Sequence, residues 1–180
     1  MTDTSMFGRV TAALAPLRVA IGFVFGAIVL WLAQPSRETL VIGSLIACVG
    51  EAIRIWAAGH LHKSREVTSS GPYRWCAHPL YVGSSVMGAG LAIACGSVPA
   101  ALCIALYVGV MLTMAAKNEE AFLRRTFGDR YDRYRRGDGG GDDASRRFSL
   151  AQALANREYR ALVGLLIAVL LLALKAASGV

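Results

Sequence analysis

Apolar residues in this chain are gathered into blocks of about twenty, the length an α-helix needs to cross a hydrocarbon core of roughly 30 Å. The blocks fall at 14–33, 40–58, 80–96, 98–116 and 161–177, separated by charged or turn-forming stretches. Lipid offers no partner for a backbone N–H or C=O, so uninterrupted blocks of this length are read as helices. The expected fold is all-α: a polytopic membrane helical bundle of about five transmembrane helices, forming a single domain over residues 1–180. Hydrophobic residues make up 55% of the 180, more than soluble domains usually carry. The net charge of +7 is therefore read by its position along the chain. No basic stripe interleaved with aromatic residues appears outside the loops, which argues against nucleic acid as a partner. Ahead of the first block there is no basic segment followed by a short apolar core, so the N-terminal run is read as the approach to a span, not a cleaved signal.

The first block opens near Arg9 and Arg18 and closes at Trp31, and a turn at 34–38 carries Pro35. The second block contains Glu51 and Arg54. Ionisable residues are costly in lipid and normally face a protein interior or a watery cavity. The two are spaced as an i,i+3 ion pair that lets the helix pack, and they are equally compatible with a part in a site. The blocks at 80–96 and 98–116 are joined by the uncharged turn Gly96, Ser97, Val98 and Pro99, which implies an antiparallel hairpin. Gly83, Ser84, Ser85, Gly88, Ala89 and Gly90 would let neighbouring helices approach closely. Past Ala116, Phe122, Leu123, Phe127, Tyr131 and Tyr134 recur at helical spacing among charges. This predicts an amphipathic helix on the cytoplasmic face before the last span. GDGGGDD at 137–143 is a break, and 149–160 is read as a second short surface helix. Cys48, Cys76, Cys95 and Cys103 form no CxxC pair and read as small apolar packing residues, and no cluster with metal-ligand spacing is present.

Lys and Arg crowd 59–78 and 117–160, whereas the turn at 34–38 has one and the turn at 96–99 has none. Both basic segments are thereby expected on the cytoplasmic side, and the Ala- and Arg-rich composition suggests a bacterial inner membrane. Two stretches dense in special chemistry then share one face: GPYRWCAHPLYVG at 71–83 and NEEAFLRRTFGDRYDRY at 118–134. Glu119 and Glu120 are suited to holding an ammonium group or accepting from ribose hydroxyls, while Arg74 and backbone donors around His78 could receive a carboxylate. Taken alone, the glutamates beside Lys117, Arg124 and Arg125 also fit a solvated charged face, and His78 before proline also fits a helix-entry residue.

The two stretches together resemble the paired signature of the integral-membrane methyltransferases that include isoprenylcysteine carboxyl methyltransferase and the phospholipid N-methyltransferases. The matching residues are Gly71, Pro72, Tyr73, His78, Pro79, Tyr81 and Gly83, then Glu119, Glu120, Leu123, Phe127, Gly128, Tyr131 and Tyr134. The likeness covers roughly 54–136. It implies a helical membrane enzyme that binds S-adenosylmethionine at the cytoplasmic face and takes a lipophilic acceptor sideways from the bilayer. By position, Tyr73, His78, Pro79, Leu80, Tyr81, Gly83, Glu119 and Glu120 would bind the cofactor. Arg54 and Arg74 would orient the acceptor, and Glu120 would also serve in catalysis. The family usually has an arginine immediately before the His-Pro pair; here that position is Ala77, which leaves Arg74 as the nearby cation.

Methyl transfer from a sulfonium is a direct displacement, so a protein catalyst chiefly aligns the reactants and excludes water. A carboxylate acceptor needs a positive guide; an amine acceptor must first lose a proton, for which Glu119, Glu120 or His78 is available. The sequence leaves both acceptors open. Two other classes also fit a helical membrane chain: a nicotinamide-dependent sterol or isoprenoid reductase, and a non-enzymatic membrane scaffold.

Overall fold

The structure, a computed structural model, describes residues 18–62, 68–136 and 147–179, with no account of the side chains of 18–20, 130 and 133–135. The start of the first apolar block at 14–17, Lys63 and Arg65 of the basic loop, and the 137–143 break lie outside the described residues, as does the side chain of Tyr134. All regular structure among the described residues is helical. The elements are α1 (Arg18–Leu32), α2 (Arg37–Ala58), a 3-10 turn (Gly71–Arg74), α3 (Pro79–Ala94), α4 (Val98–Phe127), α5 (Asp129–Arg136), α6 (Leu150–Ala155) and α7 (Tyr159–Ser178). Helices α2, α4 and α7 are long and apolar enough to cross a membrane, and the apolar helices Ile21–Leu32 and Pro79–Ala94 are shorter.

Burial follows the logic of a lipid-embedded bundle. The interior is lined by small residues such as Ala33, Ala47, Ala57, Ala94 and Ala100, while Phe23, Trp31, Leu45, Leu106, Leu166 and Leu170 point outward. Cys95 is buried with the core, but Cys48 is exposed on the outer face of α2. With lipid as apolar as leucine, association has to come from close packing of backbones. Helices α2 and α3 achieve it through glycine. A Cβ added at Gly43 would lie 2.3 Å from the Ala94 nitrogen, one at Gly50 2.4 Å from the Met87 nitrogen, and one at Gly90 2.3 Å from the Ala47 nitrogen. Against the other side of the hairpin, Phe25 of α1 stacks on Tyr107 of α4 with ring centroids 4.3 Å apart.

Helix ends are closed by named partners. Ser36 and Thr39 form a reciprocal capping box at the start of α2. At its other end, Asn156 donates through Nδ2 to the Ala58 and Leu61 carbonyls, both at 2.8 Å, and Gln152 Nε2 donates to Leu61 O at 2.9 Å. Lys175 of α7 donates to the Leu30 and Trp31 carbonyls that end α1, at 2.8 and 2.9 Å. The segment read as a second surface helix is thus α6 and the turn after it, folded under the end of α2.

The charged stretch after Ala116 does not begin a new helix. Helix α4 continues through it to Phe127, because Lys117, Glu119, Glu120, Ala121, Leu123, Arg124 and Arg125 are all good helix formers and nothing interrupts them. The break comes at Gly128, whose φ of +48° is open to glycine. Helix α5 follows at once, with Arg124 Nε 3.5 Å from Asp132 Oδ1 across the joint and the Tyr131 side chain buried.

Candidate functional site

The first wall of the site is the lead-in to α3. Gly71 takes a φ of +57° with the His60 ring directly beneath it, so that a Cβ there would lie 2.5 Å from the ring. His60 is itself buried and lies 3.2 Å, through Nδ1, from Ser70 Oγ. The following 3-10 turn is held by the Tyr73, Trp75 and Cys76 amides, which donate to the carbonyls of Ser70 and Pro72. His78 then stands at the N-cap of α3 (φ −134°, ψ 60°), its amide 3.4 Å from Cys76 Sγ. Pro79 occupies the first helical position, where its missing N–H costs nothing and its fixed φ suits the helix. The His78 carbonyl accepts from the Tyr81 and Val82 amides at 3.0 and 3.2 Å, closing the first turn.

The second wall is the far end of α4. Glu119 Oε2 lies 3.5 Å from His78 Nδ1, and Glu120 Oε1 lies 3.4 Å from His78 Nε2. The imidazole is thus flanked by one carboxylate at each nitrogen, with the Tyr81 ring stacked on it at 5.4 Å. Both ring nitrogens are donors only in the imidazolium form. The Glu119 carboxylate, with Glu120 behind it, raises the His78 pKa above the ordinary histidine value against the opposing effect of partial burial. Because the two carboxylates address different ring nitrogens, they do not converge on one point. Among the described residues no group of three His, Cys, Asp or Glu side chains is arranged to hold a metal ion.

The other residues singled out in the sequence lie around this centre in different roles. Tyr73 and Pro79 are buried and Leu80 is half-buried, all in the segment that carries His78, whereas Arg74 is exposed. Gly83 is packed against α2: a Cβ there would lie 2.7 Å from both the Arg54 Cγ and the Gly50 carbonyl oxygen. Arg54 is engaged on three sides. Its Nε is 3.4 Å from Glu51 Oε2, its Nη2 is 2.5 Å from Glu158 Oε1, and its Nη1 donates to Ser84 Oγ. The i,i+3 pair expected from the sequence is therefore present. Glu158 and Ser84 were not legible as its partners, since nothing near Glu158 in the sequence marks it. The Trp56 and Trp75 rings meet nearby, tilted to one another with centroids 5.9 Å apart. An open cavity of about 450 Å³ lined by Trp31, Leu32, Gln34 and Gly96 to Pro99 lies by the α3–α4 turn, at the end of α3 remote from His78.

The model of the family described as phospholipid methyltransferase matches residues 17–130, taking in α1 to α4 and both walls of the site. The chain belongs to the phospholipid methyltransferase family. Family resemblance extends to curated proteins with different names. A nickel-cobalt-cadmium resistance protein, NccN, of Alcaligenes xylosoxydans xylosoxydans is 32% identical over 59% of this chain and 49% of its own length. A cobalt-zinc-cadmium resistance protein, CzcN, of Cupriavidus metallidurans is 32% identical over 52% of this chain and 44% of its own. The protein-S-isoprenylcysteine O-methyltransferase of Schizosaccharomyces pombe is 27% identical over 52% of this chain and 39% of its own. The chain thus spans under half the length of these curated relatives in the matched regions. No solved structure matches. The family match ends before α6 and α7, so Glu158 lies beyond it.

Proposed function

We propose that this member of the phospholipid methyltransferase family transfers a methyl group from S-adenosylmethionine to a lipophilic, membrane-embedded acceptor. The observation that carries the reading is His78 held between Glu119 and Glu120 where the start of α3 meets the end of α4. Two motifs far apart in sequence meet there, and the likeness to the Schizosaccharomyces pombe enzyme supports the same chemistry. In this reading the chain crosses a bacterial inner membrane five times, α1 and α3 included, with the site on the cytoplasmic side and the α4 extension with α5 lying at the surface.

The residues present fit the cofactor. Two carboxylates suit its ammonium and ribose hydroxyls, and the start of α3 with Arg74 suits its carboxylate. S-adenosylmethionine, when bound, supplies a methyl group on a sulfonium, open to direct displacement. Glu119, Glu120, His78 and Tyr81 hold the polar parts of that ligand, and Tyr73, Pro79, Leu80 and Gly83 shape the wall behind them. Arg74, exposed beside the site, would orient an isoprenylcysteine-like carboxylate acceptor or the phosphate of a phospholipid amine. Arg54, engaged by Glu51, Glu158 and Ser84, would act only by holding α2 and α3 together. For an amine acceptor, the chain's part would be to hold the nitrogen in line with the donor and to supply a carboxylate that takes the amine's proton. Glu120 would serve as that carboxylate, since His78 is biased by its neighbours to hold its own proton and Glu119 is the carboxylate that acts most strongly on it.

The test is calorimetric titration of the detergent-solubilised protein with S-adenosylhomocysteine, with NADPH titrated in parallel. The parent is expected to bind the former saturably and not the latter. The Glu119→Ala, Glu120→Ala double variant is expected to insert normally and to lose binding. Absence of binding to the folded parent, or undiminished binding to the double variant, refutes the assignment.

A further inference from the structure

The Arg54 cluster is a poor device for stability alone. Glu51 and Glu158 are 2% and 9% exposed, and burying two carboxylates around a single guanidinium costs more desolvation than their attraction readily returns. What the cluster does provide is position, because it joins three elements. Arg54 belongs to α2, Ser84 to α3, and Glu158 stands at the corner before α7. That corner is tightly specified. Arg157, the positive-φ non-glycine residue among those described, has φ 62°, and the Glu158 amide donates to the Ala153 carbonyl at 3.2 Å. The twist turns Glu158 inward onto Arg54.

From Arg54 the chain of contacts runs to the site. Its Nη1 donates to Ser84 Oγ, and the same hydroxyl donates to the Leu80 carbonyl at 2.8 Å. One hydroxyl thus accepts from the guanidinium and donates a hydrogen bond into the first turn of α3, the turn that His78 caps. Gly83 leaves room for the Arg54 stem, since any side chain there would meet its Cγ.

We propose that Glu158 is a positioning residue which, through Arg54 and Ser84, fixes the first turn of α3 and so the seat of His78 between Glu119 and Glu120. Its consequence for cofactor binding rests on the functional reading above; its consequence for His78 does not. The segment that carries Glu158 lies outside the region shared with the family model, so the start of α7 is the part of this chain that sets the geometry of a site built elsewhere.

Two readouts on the full-length protein in detergent test this. One is affinity for S-adenosylhomocysteine; the other is the His78 titration midpoint followed by NMR of histidine-labelled protein. Glu158→Gln keeps the shape and removes the charge, and Ser84→Ala cuts the link to Leu80 while leaving the Arg54–Glu158 pair. Each is expected to weaken binding by about fivefold to tenfold and to lower the His78 midpoint by ~0.5 pH unit. Acting along one path, the double variant is expected to be no worse than the more affected single variant. Folded variants that leave both the midpoint and the affinity unchanged overturn the proposal, as does full additivity of the two substitutions. If the parent binds no S-adenosylhomocysteine but Glu158→Gln still lowers the midpoint, the cofactor reading fails and the positioning role stands.

Discussion

Replacing Gly90 by alanine is expected to destabilise the protein although it adds only a methyl group. The new Cβ would lie 2.3 Å from the Ala47 nitrogen, 2.6 Å from the Gly43 oxygen and 2.8 Å from the Ala47 Cα. All three are backbone atoms, so no rotamer change relieves the overlap. Real Cβ atoms essentially never approach within 3.0 Å and ordinary contact begins at 3.4 Å, so α2 and α3 must separate by about 0.7–1.1 Å to clear the 2.3 Å overlap. Overpacking of this kind costs ~1–3 kcal/mol, with backbone against backbone at the upper end. Alanine returns up to ~1 kcal/mol in helix propensity, leaving a net loss of about 2 kcal/mol. For a chain of this size that lowers the unfolding midpoint by roughly 4–8 °C. Gly164 of α7 has nothing within 4 Å of the place a methyl group would take and serves as the control, with Gly164→Ala gaining ~0.5–1 kcal/mol. Thermal unfolding of both variants in one detergent, followed by far-ultraviolet circular dichroism, reads the difference. A Gly90→Ala protein as stable as Gly164→Ala would refute the idea that α2 and α3 meet through their backbones.

Two more perturbations address the site and its support. The folded pKa of His78 is raised above the ordinary histidine value of about 6.5, so its contribution to stability is complete below that pH and is lost as pH rises through the folded value. Thermal midpoints measured over a pH series should fall with rising pH above about 6.5 in the parent more than in His78→Asn, and Glu119→Gln should remove more of that difference than Glu120→Gln; parallel curves for parent and His78→Asn would contradict it. Asn156→Ala removes two hydrogen bonds that close the end of α2, at Ala58 and Leu61, and is expected to cost ~1–3 kcal/mol in chemical or thermal unfolding.

Much of the architecture is visible in the sequence because lipid enforces it. Apolar blocks, an uncharged turn at 96–99 and the placement of Lys and Arg suffice to bring 71–83 and 118–134 to one end of the bundle, whereas the contact of His78 with Glu119 and Glu120 also depends on the rotation of α4 and was not legible. The boundary of α4 was not legible, since a change from apolar to charged residues marks a change of surroundings and leaves helix propensity intact up to Gly128. The small residues of α3 announced close packing, but which of them meet α2 depends on helix rotation: Gly83 and Gly90 do, opposite Gly50, Gly43 and Ala47. Glu158 was invisible for a different reason. Its partner Arg54 is distant in sequence, and only the strained corner at Arg157 turns it inward.

The α3–α4 hairpin makes chain length itself a determinant of the site. His78 and Glu120 are 42 residues apart and are connected by two rigid rods with a tight turn between them. One residue inserted into α4 ahead of Lys117 would swing both glutamates through about 100° and advance them by about 1.5 Å, carrying them off the imidazole without altering a single site residue. A seven-residue insertion would restore their direction but displace them by about 10 Å along the axis. The interval is therefore as much a part of the site as the residues at its ends: changing the hairpin's count by one residue separates the carboxylates from the imidazole.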